Sequence, residues 1–204
     1  CENNTGYQNL MYLCSQGFLT GYYYKPRMDY QLIREHSQGL ICLSACLSGD
    51  LPKLLLQDRH EDAVAYVREM QDIFGKENFF IEIMDHREER IVLPRLVALA
   101  RELDVPLVAT NDCHYLEEKD ADAQEVLMCI QTGKTLEDSS RMRMETRQLY
   151  VKSEAEMRAL FAAYPDAVDN AGKIAQRCQV EFEFGVTRLP SYPVPTEETP
   201  AQML

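Results

Sequence analysis

The sequence predicts an α/β fold built on parallel strands, with only part of a barrel's strand set present. Three observations lead there. Apolar runs of strand length alternate with amphipathic stretches of helix length, the pattern of strand-helix-strand units. The convincing central strands are only those at residues 40–45, 78–84 and 105–110. A closed barrel needs more than twice as many, so the expectation is part of an α/β barrel whose beginning is missing.

Residues 6–19 place Leu10, Leu13, Cys14 and Phe18 at helical spacing, with Asn3, Asn4 or Thr5 as N-cap. Pro26 in "GYYYKPR" stops any helix from running on, and a short helix then follows Asp29 and ends by Gly39. "LICLSA" (40–45) has the length of a fully buried strand. Helices at about 51–57 and 61–74 come next, the second stopped by Gly75. In "NFFIEIMDH" (78–86), Phe80, Ile81 and Ile83 are apolar while Glu82 and Asp85 are not. "EERIVLPRLVALARELD" is an amphipathic helix, and Pro94 argues for a start later than its apolar pattern suggests. After the strand at 105–110, a helix ends at Gly133, "QLYVKS" (148–153) suggests an edge strand, and Ser153 with Glu156 makes a capping box. Pro165 opens the last helix at its first position, and four prolines in residues 189–204 mark an extended connector.

A chain of 204 residues can bury one sizeable core. With 46% hydrophobic and 26% charged residues it has the composition of a globular protein, not a disordered one. No apolar run approaches the roughly 18 residues of a membrane span. The first residue is Cys1, with no signal-peptide pattern, so the expectation is an excised or processed piece. Seven scattered cysteines without a CxxC pair fit a reducing, cytoplasmic setting. A net charge of -12 argues against a free-standing nucleic-acid binder, though not against a catalytic pocket.

In parallel α/β folds the site lies at the carboxyl ends of the strands. Here those ends carry Cys46, then Asp85 and His86, then Asp112 and His114 in "VPLVATNDCHY". Extended backbone would point Asp112 and His114 to one side, so both could face one metal ion or substrate. Carboxylate, imidazole and thiolate suit Zn, Mn or Fe, which supports metal-assisted hydrolysis. The plainer alternatives are that Asp112 caps the following helix, that Cys46 is a small apolar residue and that His86 caps a helix or lies on the surface. Lys25 and Arg27 are candidate phosphate contacts or simple surface cations, and Arg141, Arg143 and Arg147 concentrate positive charge in an acidic chain.

"LSACLSGDLPKLL", "LVATNDCHYLEEKDADAQEVLMCIQTGKTLED", "YPDAVDNAGKIAQRC" and "LPSYPVPTEETP" resemble, in order and over essentially the whole chain, the PHP domain of bacterial replicative DNA polymerase III alpha subunits. The resemblance implies an incomplete PHP-type distorted (βα)7 barrel over 1–135, a helical extension packed on it over 136–185 and a proline-rich connector over 186–204 toward a polymerase palm. It implies Cys46, Asp112 and His114 as metal ligands, with His86 and Asp85 behind them and the first H-x-H motif lying upstream. The cofactor it implies is Zn, Mn or Fe, held incompletely by this stretch alone. The activity implied for the intact protein is DNA-directed DNA polymerase, a nucleotidyltransferase of DNA replication, with a metal-dependent phosphoesterase or 3′ to 5′ exonuclease site. The partners implied are DNA, a proofreading exonuclease subunit and a sliding clamp, without a membrane. The alternatives are a non-catalytic scaffold bracing the polymerase and its proofreading subunit, and a stand-alone PHP phosphoesterase, against which the proline-rich exit speaks.

Overall fold

A computed structural model describes residues 1–86, 89–187, 189 and 199. Most of the connector predicted from residue 186 lies outside the described residues, as do Arg87 and Glu88.

Three parallel strands form one sheet in the order β1 (Cys42–Leu43), β2 (Phe79–Ile83), β3 (Leu107–Ala109). Cys42 pairs with Phe79, and Ile81 to Ile83 pair with Leu107 to Ala109. All residues of β2 are buried, as expected of a central parallel strand covered on both faces. Phe79, Ile81 and Ile83 share one face and join the main core with residues of α3 (Asp50–Leu56), α4 (His60–Phe74) and α5 (Glu89–Leu103). The even-numbered face of β2 carries Phe80 and Glu82, both buried. Beyond β3, a 3₁₀ turn (Glu118–Asp120) leads into α6 (Ala121–Thr132), and then come α7 (Glu154–Leu160) and α8 (Pro165–Arg177). Phe161, Ala167 and Val168 belong to the same core, and the Asn170 side chain donates to the Leu107 carbonyl at 2.8 Å, fastening α8 to β3. The fold class is thus mixed α/β with a parallel three-stranded sheet.

Helix ends follow local chemistry. The Asn3 side chain accepts from Gly6 N–H at the start of α1 (Asn4–Leu19), and Asp29 accepts from Leu32 N–H at the start of α2 (Tyr30–Glu35). Ser153 and Glu156 form their reciprocal box, and Gly133 ends α6 in the left-handed region.

Three sequence expectations change. Pro94 sits inside α5, which begins at Glu89 and not later. The missing Pro94 N–H removes one hydrogen bond of the helix, and Val92, Leu96, Leu99 and Ala100 buried around it hold the helix together. Residues 148–153 make no edge strand; Tyr150 forms only an isolated parallel bridge with Tyr115. In α1 the buried residues are Gly6, Leu13 and Gly17, whereas Leu10 and Phe18 are exposed. The inward face is set by close backbone approach: a Cβ on Gly6 would lie 1.8 Å from the carbonyl oxygen of Gly39. Gly6→Ala must therefore push α1 off the 36–40 turn, and we expect a loss of about 1–3 kcal/mol. A chemical-denaturation midpoint equal to that of the wild type would refute this.

Candidate metal and phosphoester site

The three strand exits converge. Cys46, His86, Glu89, Asp112, Arg143 and Leu149 are among the residues that line one open cavity of about 240 Å³. Each wall follows from what happens just past a strand. After β1 the chain turns through Ala45, whose φ of +64° lies in the left-handed region, and delivers Cys46. After β2 come Asp85 and His86. After β3, Asp112 also adopts a left-handed backbone, with φ of +45°. Asp112 and His114 are thus not simple i, i+2 partners on extended chain, yet His114 Nε2 still stands 3.5 Å from Asp112 Oδ2.

Asp112 caps no helix: the 3₁₀ turn that follows has Glu117 as its N-cap. His114 is not among the cavity's lining residues and meets it only through Asp112. Asp85 is engaged by Arg90, which donates to its two oxygens at 2.6 and 2.8 Å. Lys25 and Arg27 lie on the loop after α1, away from this cavity, and the Arg27 guanidinium sits 4.8 Å from the centre of the Tyr23 ring. Of the 141–148 cations, Arg141 is buried against Glu125 and Arg147 pairs with Asp122, whereas Arg143 contributes to the cavity wall.

Sequence inspection missed the polar frame beneath the site. The buried polar residues among those described are Ser44, Glu82, Glu89 and Asn111, and all four hold strand exits. Glu82 Oε2 accepts from Ala45 N–H at 3.1 Å, and its Oε1 accepts from the Thr110 hydroxyl at 2.6 Å, so one carboxylate ties the exits of β1 and β3 to β2. Ser44 Oγ accepts from Glu82 N–H at 2.9 Å, and Glu89 accepts from Leu47 N–H at 2.8 Å. Asn111 donates its amide to the carbonyls of Gln148 and Tyr150 at 2.8 and 2.7 Å, which draws the 143–149 segment over the cavity. The Tyr150 hydroxyl in turn donates to Glu156, whose carboxyl is pulled down to about 2 by that bond and by Ser153. The signal for Glu82 was available: an acid flanked by isoleucines in a short apolar run. Cys42, by contrast, is pushed up to about 11 by burial and by the Glu82 charge, and so stays a thiol.

A PHP domain model matches residues 1–86. The DNA polymerase III subunit alpha of Treponema pallidum (strain Nichols) is 47% identical over 198 residues, 96% of this chain and 17% of that protein. The subunit of the same name from Thermus aquaticus is 45% identical over 208 residues, 98% of this chain and 17% of that protein. That of Borreliella burgdorferi is 42% identical over 199 residues, 96% of this chain. The chain thus matches a PHP domain over its first 86 residues and is similar over nearly its whole length to DNA polymerase III alpha subunits. It spans 17% of the length of these relatives.

PHP domains are generally metal-dependent, and two features of this PHP segment fit a cation. Its cavity offers sulfur, nitrogen and carboxylate donors together, the mixture that suits zinc and its neighbours. One of those donors, His86 Nδ1, is buried without a hydrogen-bond partner. Enclosure is partial: among the described residues no three His, Cys, Asp or Glu side chains are grouped closely enough to hold an ion by themselves. No helix among the described residues of this PHP segment is long and apolar enough to cross a membrane.

Proposed function

We propose that this chain serves in a bacterial replicative DNA polymerase of the III alpha type, as part of a PHP barrel bearing a metal-dependent phosphoesterase or 3′ to 5′ exonuclease-type site. The barrel portion spans residues 1–135, with 136–185 packed on it and the remainder leading toward the polymerase. The observation that carries this reading is the convergence of Cys46, His86 and Asp112, from three different strand exits, on one cavity. In this role the protein works in the cytoplasm on DNA, beside a proofreading subunit and a sliding clamp.

Cys46, Asp112 and, through its contact with Asp112, His114 would hold the ion. A Zn, Mn or Fe ion bound there lowers the pKa of water and polarises a phosphoryl oxygen. The chain's own contribution is positional. Arg143 on the cavity wall offers a guanidinium suited to two phosphate oxygens. Glu82 and Asn111 fix the turns that carry Cys46 and Asp112, and Leu149 and Met144 add apolar surface to the cavity lining. The partial grouping of donors also favours a second reading, in which the site is a scaffold feature whose ion serves stability.

The two readings separate by experiment on the full-length protein. Asp112→Ala and His114→Ala are expected to lower bound metal and nuclease activity by at least about tenfold, leaving DNA synthesis intact. Full nuclease activity with a lowered melting temperature would transfer the role to stability. Absence of bound Zn, Mn and Fe, with unchanged activity in both variants, would remove the metal site altogether.

A further inference from the structure

Phe18, Tyr22, Tyr23 and Tyr24 leave 60–80% of their surface exposed at the end of α1 and on the loop after it. That loop is held closely. A Cβ on Gly21 would lie 1.9 Å from the Arg27 carbonyl oxygen, so the loop backbone folds directly onto the end of α1. Tyr23 N–H donates to the Lys25 carbonyl at 3.1 Å, which closes a tight turn with Tyr24 at its tip. Tyr24 has a left-handed backbone there, with φ of +61°, which a ring-bearing residue adopts at a cost and glycine adopts freely. Strain of this kind gathers at ligand-binding positions.

Charge complements the rings. No Asp or Glu occurs between Glu2 and Asp29, although the chain carries 33 acidic residues. The cations of that stretch are Lys25 and Arg27, both exposed. Neither is ion-paired among the described residues, whereas Arg34, Arg90, Arg147 and Arg177 all are. The Arg27 guanidinium lies 4.8 Å from the Tyr23 ring centre, and the Phe18 and Tyr22 rings stack with centres 6.4 Å apart. Open aromatic faces beside unpaired cations suit a polyanion whose flat groups are free to stack, and single-stranded nucleic acid is that polyanion. A duplex keeps its bases stacked on one another. We propose that residues 18–27 form a stacking platform for single-stranded nucleic acid, with Tyr23 and Tyr24 taking bases while Lys25 and Arg27 meet phosphates. The net charge of -12 confines such binding to this acid-free stretch. The platform is separate from the strand-exit cavity and stands whether or not that cavity holds a metal.

The test uses the full-length protein and a photoreactive oligothymidylate of about 16 nucleotides, with excess primed duplex present to occupy the polymerase site. Cross-links are expected on Tyr22, Tyr23 or Tyr24. Tyr23→Ala and Tyr24→Gly are each expected to weaken oligothymidylate binding about fivefold or more, while Tyr23→Phe keeps the ring and binds as wild type. Lys25→Ala together with Arg27→Ala should lower the slope of log affinity against log salt by about 1.4. Tyr24→Gly also relieves the left-handed backbone, so its melting temperature is expected not to fall. Binding lost at undiminished stability is a result that a purely structural tyrosine would not give. Wild-type affinity in Tyr23→Ala and Tyr24→Gly, with no cross-link on residues 18–27, would overturn the proposal. A lowered melting temperature in Tyr23→Ala alongside that result would assign the rings to packing against another part of the polypeptide. In a separate titration, an equal loss of affinity for blunt duplex would overturn base stacking as the mode of binding.

Discussion

Replacing Phe79 by Ala is expected to destabilise the chain by about 3–5 kcal/mol, seen as a lower urea midpoint at unchanged slope. Phe79 is wholly buried at the start of β2, the central strand, and shares a face with Ile81 and Ile83, which are equally buried. Val67, Met70 and Ile73 of α4 and Val92 and Leu96 of α5 belong to the same buried core, so the ring's removal opens a cavity within regular elements. Such elements cannot collapse inward, because β2 is hydrogen-bonded to β1 on one edge and β3 on the other. The cost therefore belongs at the upper end of what large-to-small substitutions show. A loss below about 1.5 kcal/mol, the range of tolerated core swaps, would contradict the packing of β2 as the sheet's centre.

The sequence made helix ends legible because capping is local chemistry. Asn3, Asp29, Gly75, Gly133, the Ser153 and Glu156 pair and Pro165 all act within a few residues of themselves. The three strands were legible as apolar runs, though pairing trimmed them to two, five and three residues. What escaped was tertiary. Helical spacing nominated Leu10 and Phe18 of α1, but Gly6 and Gly17 are the buried positions beside Leu13, and at Gly6 the close approach of the Gly39 backbone leaves no room for a larger group. At the candidate site, fold logic placed Cys46, Asp85, His86, Asp112 and His114 at strand exits, and Cys46, His86 and Asp112 of these line one cavity. The 143–149 segment was not foreseeable as a cavity wall: it is tied there by hydrogen bonds that the Asn111 side-chain amide donates to the carbonyls of Gln148 and Tyr150, far along the sequence. Glu82 resembled the polar phase of an alternating strand, although both faces of β2 are covered.

Glu82→Ala is the second large effect, expected at about 2–4 kcal/mol. Truncation removes two partly buried hydrogen bonds, leaving the Ala45 N–H without its acceptor and freeing the Thr110 hydroxyl, and it empties a carboxylate-sized space. Ala45 is held in a left-handed backbone that a residue with a Cβ adopts reluctantly. Without the Glu82 tether that turn relaxes, and Cys46 with it. Glu82→Gln behaves differently: its oxygen can still accept from Ala45 while its amide donates to the Thr110 hydroxyl, so stability stays within about 1 kcal/mol of wild type. The pH dependence distinguishes the pair further. Burial, aided by the Asp112 charge, pushes the Glu82 carboxyl up, against the pull of the Thr110 and Ala45 hydrogen bonds. The folded state thus keeps this proton at a pH where the unfolded chain has released it. The contribution to stability is complete below the ordinary glutamate value and declines as pH rises toward the raised one, then levels off. Removing the carboxyl by Glu82→Gln should flatten that decline, so the variant gains on wild type between the two values. Parallel curves for wild type and Glu82→Gln through that window would show that Glu82 titrates as an ordinary glutamate, and would weaken its place as the buried tie between the strand exits.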